Sequence, residues 1–118
     1  MSTLAAQIER TGNRAVATFS THEVTTIQMQ EVVVELMEMM RNDAVQYFVM
    51  DMNEVEFISS GCLGSLVEFI QDLGHMRGKL ALARCHDNVA FLFKVTRLDS
   101  IFPMFDEVEE AMTAMTSP

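Results

Sequence analysis

YFVMDMNEVEFISSGCLGSL, residues 47–66, changes its hydrophobic period halfway along. Its first part extends a run from Val45 to Met52 that is nearly continuous and apolar through Val45, Tyr47, Phe48, Val49 and Met50. Such a run suits a strand covered on both faces, as at the centre of a parallel sheet. It ends at the polar Asp51 and Asn53. A strand-like pair, Phe57-Ile58, leads into Ser59-Ser60-Gly61. Beyond it Leu63, Leu66, Val67, Ile70 and Leu73 follow the 3.6-residue period of a helix, which Gly74 and Gly78 close. Strand followed by helix is a βα unit, and the strand after it pairs in parallel through a right-handed crossover.

The same alternation continues in both directions. Towards the C-terminus, Leu80 to Ala83 reads as a strand. Asp87 is placed to cap a helix that turns Val89, Leu92 and Phe93 inward. Ile101 to Phe105 reads as a further strand, at a sheet edge because Pro103 has no N–H to donate. Asp106-Glu107-Val108-Glu109 has the capping-box pattern and opens a last helix with an apolar stripe of Val108, Ala111, Met112 and Met115. Towards the N-terminus, Thr25-Thr26-Ile27-Gln28 is a capping box in front of a helix, with Val33, Met37 and Met40 on one face and Asn42-Asp43 at its end. Before it, Thr3 to Glu9 and Ala15 to Phe19 flank the turn signal Thr11-Gly12-Asn13-Arg14, which predicts a β-hairpin. The order is ββαβαβαβα. The fold class is therefore α/β, with a mixed, mostly parallel sheet, an N-terminal antiparallel hairpin and about four helices. No linker, repeat or low-complexity stretch divides the 118 residues, so one domain over residues 1–118 is expected.

Charge excludes several functions. Seventeen Asp and Glu against eight Lys and Arg give a formal charge of −9. A nucleic-acid binder needs the opposite balance, as does a protein that docks on anionic lipid. No apolar run approaches the roughly 18 residues of a membrane span. The N-terminus lacks a basic region followed by an apolar stretch. Together with two isolated cysteines, Cys62 and Cys85, this points to a reducing cytoplasm. Neither a disulfide framework nor a metal site is expected, since the cysteines form no ligand set with the three histidines. The eleven methionines partly fit core stripes (Met37, Met40, Met112 and Met115), whereas Met29, Met39, Met52 and Met76 leave a Met-rich surface and a homodimer open.

Enzymatic readings fare poorly. Ser59, Ser60 and Ser65 all lack the paired glycines of the G-x-S-x-G elbow, and His22, His75 and His86 sit at element ends. Asp51 follows a central strand, but the first two strands end at Glu9 and Phe19-Ser20 without the acidic pair that a magnesium-dependent phosphoacceptor site requires. Gly61 and Gly64 belong to neither GxxxxGK[ST] nor GxGxxG, so no nucleotide cofactor is expected. Cys62, in the first turn of a helix, has the position of a reactive thiol but reads better as a small buried residue. Ser60 is a plain helix N-cap on spacing alone, and the same N-terminus is where a phosphate is electrostatically favoured.

Phe57-Ile58-Ser59-Ser60-Gly61-Cys62-Leu63-Gly64 resembles the central motif of the STAS domain, and most closely that of the bacterial anti-sigma factor antagonists. The likeness extends over nearly the whole chain. Val95-Thr96-Arg97-Leu98, Ile101-Phe102-Pro103 and Glu109-Glu110-Ala111 match the family's later segments in order.

The resemblance implies a non-catalytic regulator that switches partners when a serine at the start of the second helix is phosphorylated. Aligned without gaps from Phe57, Ser60 falls at the phosphoacceptor, with Ser59 as the alternative. Glu23, Ser59, Ser60, Gly61, Cys62 and Gly64 then form the expected partner interface. The partners implied are a serine kinase acting as an anti-sigma factor, bound by the unphosphorylated form, and a serine phosphatase of the PP2C type that resets the cycle. STAS-like domains also serve as phosphorylation-independent scaffold subunits of sensory assemblies or membrane transporter complexes. Two positions depart from the family's D-S-S/A-G-L: Ser59 replaces a carboxylate, and Cys62 replaces a glycine.

Overall fold

The computed structural model describes residues 4–117, in the order β1 (Ala6–Thr11), β2 (Arg14–Phe19), β3 (Glu23–Val24), α1 (Thr26–Asp43), β4 (Tyr47–Asp51), β5 (Phe57–Ile58), α2 (Gly61–His75), β6 (Lys79–Ala83), α3 (Asp87–Val95), a 3₁₀ turn (Leu98–Ser100), β7 (Met104–Phe105) and α4 (Val108–Thr116). Five strands form one sheet in the order β1-β2-β4-β6-β7. β1 and β2 are the expected antiparallel hairpin, closed at Gly12 with φ +61°, a left-handed conformation that favours glycine. Every other pairing in that sheet is parallel.

The apolar run of β4 is explained by its central position. Phe48 and Met50 face the larger core with α1, α2 and α3; Val49 faces a second core built on Ala111 and Met115 of α4. β6 divides in the same way. Leu80 and Leu82 face the first core, and Ala81 and Ala83 face α4, whose backbone approaches closely over these small side chains. The three-helix side is held by edge-to-face aromatic pairs, Phe48 with Phe69 at 5.7 Å and Phe93 with Phe102 at 5.5 Å between ring centroids.

Several expectations need correction. The first strand runs Ala6–Thr11 rather than Thr3 to Glu9, and Thr3 lies outside the described residues. Val32 and Leu36, not Val33, lead the buried face of α1, because the stripe is one residue out of the expected phase. His86, not Asp87, is the N-cap of α3. α4 starts at N-cap Glu107 without a side-chain cap, and the Asp106 amide instead donates to the Glu110 carboxylate at 3.3 Å. The last strand shrinks to Met104–Phe105, since a 3₁₀ turn and a bend occupy Leu98 to Pro103. It does lie at the sheet edge, although Pro103 falls just before the strand and not within it. The methionines do not make a surface: Met29, Met50 and Met52 are fully buried, and of those described only Met76 is largely exposed.

Two short strands lie apart from the main sheet. β3 and β5 pair in parallel, with Glu23 opposite Phe57 and Val24 opposite Ile58. Each precedes a helix, so their pairing sets the N-termini of α1 and α2 side by side.

Candidate functional site

The site begins with that small ladder. The amides of Glu56 and Phe57 donate to the His22 carbonyl at 2.8 and 3.1 Å, and the Ser59 amide donates to the Val24 carbonyl at 3.1 Å. The chain then enters both helices at one place. α1 is started by the expected capping box: the Gln28 amide donates to Thr25 Oγ1 at 3.2 Å, and the Thr25 amide donates to Gln28 Oε1 at 2.9 Å. This holds Thr26 rigidly at the first helical position, directly against the start of α2.

Gly61 is the contact point. A Cβ there would lie 2.1 Å from Thr26 Oγ1 and 3.0 Å from Thr26 Cγ2. Real Cβ atoms do not approach so closely, so glycine is required for the two helix starts to meet. Gly64 differs. A Cβ there would meet nothing within 4 Å, and the residue is exposed on α2 one turn beyond Ser60.

The two serines have opposite surroundings. Ser59 is half-buried, and its hydroxyl shares a 2.9 Å hydrogen bond with Thr26 Oγ1 and a 3.4 Å contact with Cys62 Sγ. The Cys62 thiol donates to the Val24 carbonyl at 3.3 Å. Ser59, Cys62 and Thr26 thus form one connected polar cluster beneath the loop. The two departures from the family motif are neighbours in space. Cys62 is fully buried, so its side chain supports the loop from below. Ser60 lies on the other side. It is exposed, it occupies the N-cap of α2, and its hydroxyl makes no capping bond. The cause is the backbone. A capping serine adopts extended angles, whereas Ser60 has φ −61° and ψ −28°, already helical.

Glu23, the other expected interface residue, is exposed on β3 opposite Phe57, which is itself 56% exposed. The loop cluster therefore brings together Glu23, Phe57, Ser60, Gly61 and Gly64. Phe57 was missed from the sequence because an aromatic in a strand reads as core. The pairing of β3 with β5 at a surface, rather than within the main sheet, leaves it uncovered.

A separate polar group lies at the carboxyl ends of β4 and β6. Asp51 is buried; its carboxylate accepts from the Asn53 amide at 3.1 Å and lies 3.7 Å from the Arg84 guanidinium. Burial first, and the Asp51 charge second, push the Cys85 thiol up to about 11. His86 Nε2 is hydrogen-bonded to the Asn53 carbonyl. Asp51 is thus committed to holding the strand end. Among the described residues no group of three His, Cys, Asp or Glu side chains is placed to hold a metal ion, and no helix is long and apolar enough to cross a membrane.

The STAS domain family model matches residues 4–111. Solved structures with the same fold include an anti-sigma factor antagonist (STAS) domain protein from Planctomyces limnophilus, at TM-score 0.81 and 18% identity, covering 98% of this chain and 100% of that one. The phosphorylated form of the Bacillus cell-fate determinant SpoIIAA is similar at TM-score 0.73 and 18% identity, covering 93% and 98%. A sulfate transporter family protein from Wolinella succinogenes is similar at TM-score 0.70 and 14% identity, covering 87% and 84%. Such identities establish a shared fold, and the fold alone carries more than one function.

Proposed function

The chain belongs to the STAS domain family, and from that premise we propose that it is an anti-sigma factor antagonist that switches partners through Ser60. On this reading residues 1–118 act as one cytoplasmic, non-catalytic unit. The unmodified protein binds a serine kinase that acts as an anti-sigma factor, using Glu23, Ser59, Ser60, Gly61 and Gly64, with Phe57 added and Cys62 behind them. The kinase transfers the γ-phosphoryl group of ATP to Ser60 Oγ, leaving ADP, and the complex separates. A PP2C-type phosphatase hydrolyses the phosphoserine and restores binding.

The observation that supports this reading is the free, exposed Ser60 hydroxyl at a helix N-terminus, beside a half-buried Ser59 whose hydroxyl is already engaged. A phosphate at Ser60 adds about −1.5 to −2 charges. The N-terminus of α2 stabilises that charge, so the domain tolerates it. A partner packed against Ser60 has no such compensation and is repelled. The switch is in the complex, and the domain itself need not change shape.

Intact-mass measurement after incubation with ATP and a candidate anti-sigma serine kinase is the direct test. One phosphate is expected on the wild type and on Ser59→Ala, and none on Ser60→Ala. A phosphate lost only in Ser59→Ala would move the acceptor by one residue. No phosphate on any form, with the kinase active on a control substrate, would favour a phosphorylation-independent scaffold subunit, the role suggested by the likeness to a sulfate transporter family protein.

A further inference from the structure

α1 and α2 touch at Thr26 and Gly61 and part further along, leaving a groove of about 290 Å³ between them. Val33, Val34, Met37 and Phe69 provide its apolar lining. Val34 is 56% exposed although it is a large aliphatic residue in mid-helix. The rim is acidic: Glu38 stands on α1, and Glu68 and Asp72 stand on α2, with Arg41 as the single base. Among the described residues the close contacts between basic and acidic side chains are Arg10–Asp43, His22–Glu56 and Arg84–Asp51, so these three rim carboxylates have no basic partner within 4.0 Å.

Three like charges around an apolar floor repel one another, and Arg41, the one base on the rim, forms no ion pair with any of them among the described residues. The lining on α1 runs from Gln30 to Arg41, about 16 Å at 1.5 Å per residue, or three turns of a helix. We propose that this groove docks a basic amphipathic helix of a partner protein, with apolar side chains at i, i+3 and i+4 on the floor and Lys or Arg against Glu38, Glu68 and Asp72. The inference stands on the groove alone and holds whether or not Ser60 is phosphorylated.

The test is an amide chemical-shift titration of the isotopically labelled full chain. The probe is a synthetic Lys/Leu amphipathic peptide of about 14 residues, long enough to form a helix, with a Glu/Leu peptide of the same pattern as control. Shifts confined to α1 and α2 along the groove are expected with the Lys/Leu peptide and none with the control. A Glu68→Lys/Asp72→Lys variant should weaken binding at least about 10-fold, the scale of two lost charge pairs. Val34→Ser, which removes apolar floor at an exposed position without changing the charge, should weaken it as well. Shifts spread over the acidic first turn of α4 (Glu109 and Glu110) would show that net charge alone attracts the peptide, and would overturn the proposal. Absence of binding, or equal binding of the Lys/Leu peptide by the wild type and the Glu68→Lys/Asp72→Lys variant, would overturn it too. Groove shifts that grow with protein concentration in the absence of peptide would make the occupant a second copy of this chain and refute the basic-helix assignment.

Discussion

The Ser60 hydroxyl stands where a serine usually accepts a bond from an amide of the first helical turn, and here it accepts none. Ser60→Ala should therefore change stability by less than about 0.5 kcal/mol, where loss of a working cap costs about 1 kcal/mol. Ser59→Ala should cost about 1 kcal/mol, because it leaves Thr26 Oγ1 without its partner. Urea denaturation of the two variants checks the contrast, and the reverse order would show that the hydroxyls have been assigned the wrong roles. The glycines should separate as clearly. Gly61→Ala drives a methyl group into the β-branched Thr26, whose rotamer is stiff, and should cost about 1–3 kcal/mol. Gly64→Ala meets nothing and should gain about 1 kcal/mol from helix propensity, while weakening kinase binding by filling the surface beside Ser60. Cys85 offers a pH test. Its thiol is raised from 9.0 to about 11 by burial and the Asp51 charge, so alkylation at pH 8 should run about 100-fold slower than for an unperturbed thiol. The unfolded thiol ionises first on this ordering. Its contribution to stability is complete below pH 9.0 and is lost as pH rises through about 11.

At the scale of elements, the site is a product of two strand–helix joints placed in register. β3 and β5 contribute only two residues each, yet they determine which turn of α1 faces which turn of α2. The capping box then holds α1 at Thr26. Thr25→Ala removes the side chain that accepts from the Gln28 amide and should destabilise the protein by about 1 kcal/mol. It should also loosen Ser59 through Thr26. Faster hydrogen exchange at the amides of Ser59 to Leu63, beyond the fraying of α1 itself, is the expected signature. Unchanged exchange there would mean that the β3–β5 ladder holds the loop without help from the cap.

On the whole molecule, a charge added at Ser60 meets the N-terminal end of α2 in a chain already at −9. The local helix field favours it by a few tenths of a kcal/mol, and screening at physiological salt confines the repulsion from distant carboxylates to about 8 Å. Ser60→Asp should accordingly leave the amide spectrum unchanged outside β5 and the first turn of α2, and the melting temperature nearly so, while abolishing the kinase complex. Widespread shifts would instead mean that modification acts by reshaping the domain. The layered build supports the local outcome. α2 is anchored through Leu66, Phe69 and Leu73 in the larger core, so a change at its exposed tip has little purchase on the sheet.

Period and punctuation in the chain determined the fold class. The continuous apolar run at β4 demanded cover on both faces, the Gly12-Asn13 turn closed a hairpin, and Thr25 to Gln28 started a helix; each is a local interaction between near neighbours in sequence. Ser60 was legible as a candidate through its motif and its position before an amphipathic helix. What sequence could not separate was Ser59 from Ser60, or Gly61 from Gly64, since each pair is the same residue in the same local setting. Only the packing of α1 against α2, across 33 residues between Thr26 and Ser59, turns one serine inward and leaves the other free. It also makes one glycine obligatory and the other replaceable. The β3–β5 ladder, the burial of Cys62 and the groove between the helices arise in the same way. They depend on contacts between distant segments, which the pattern of either segment alone does not encode.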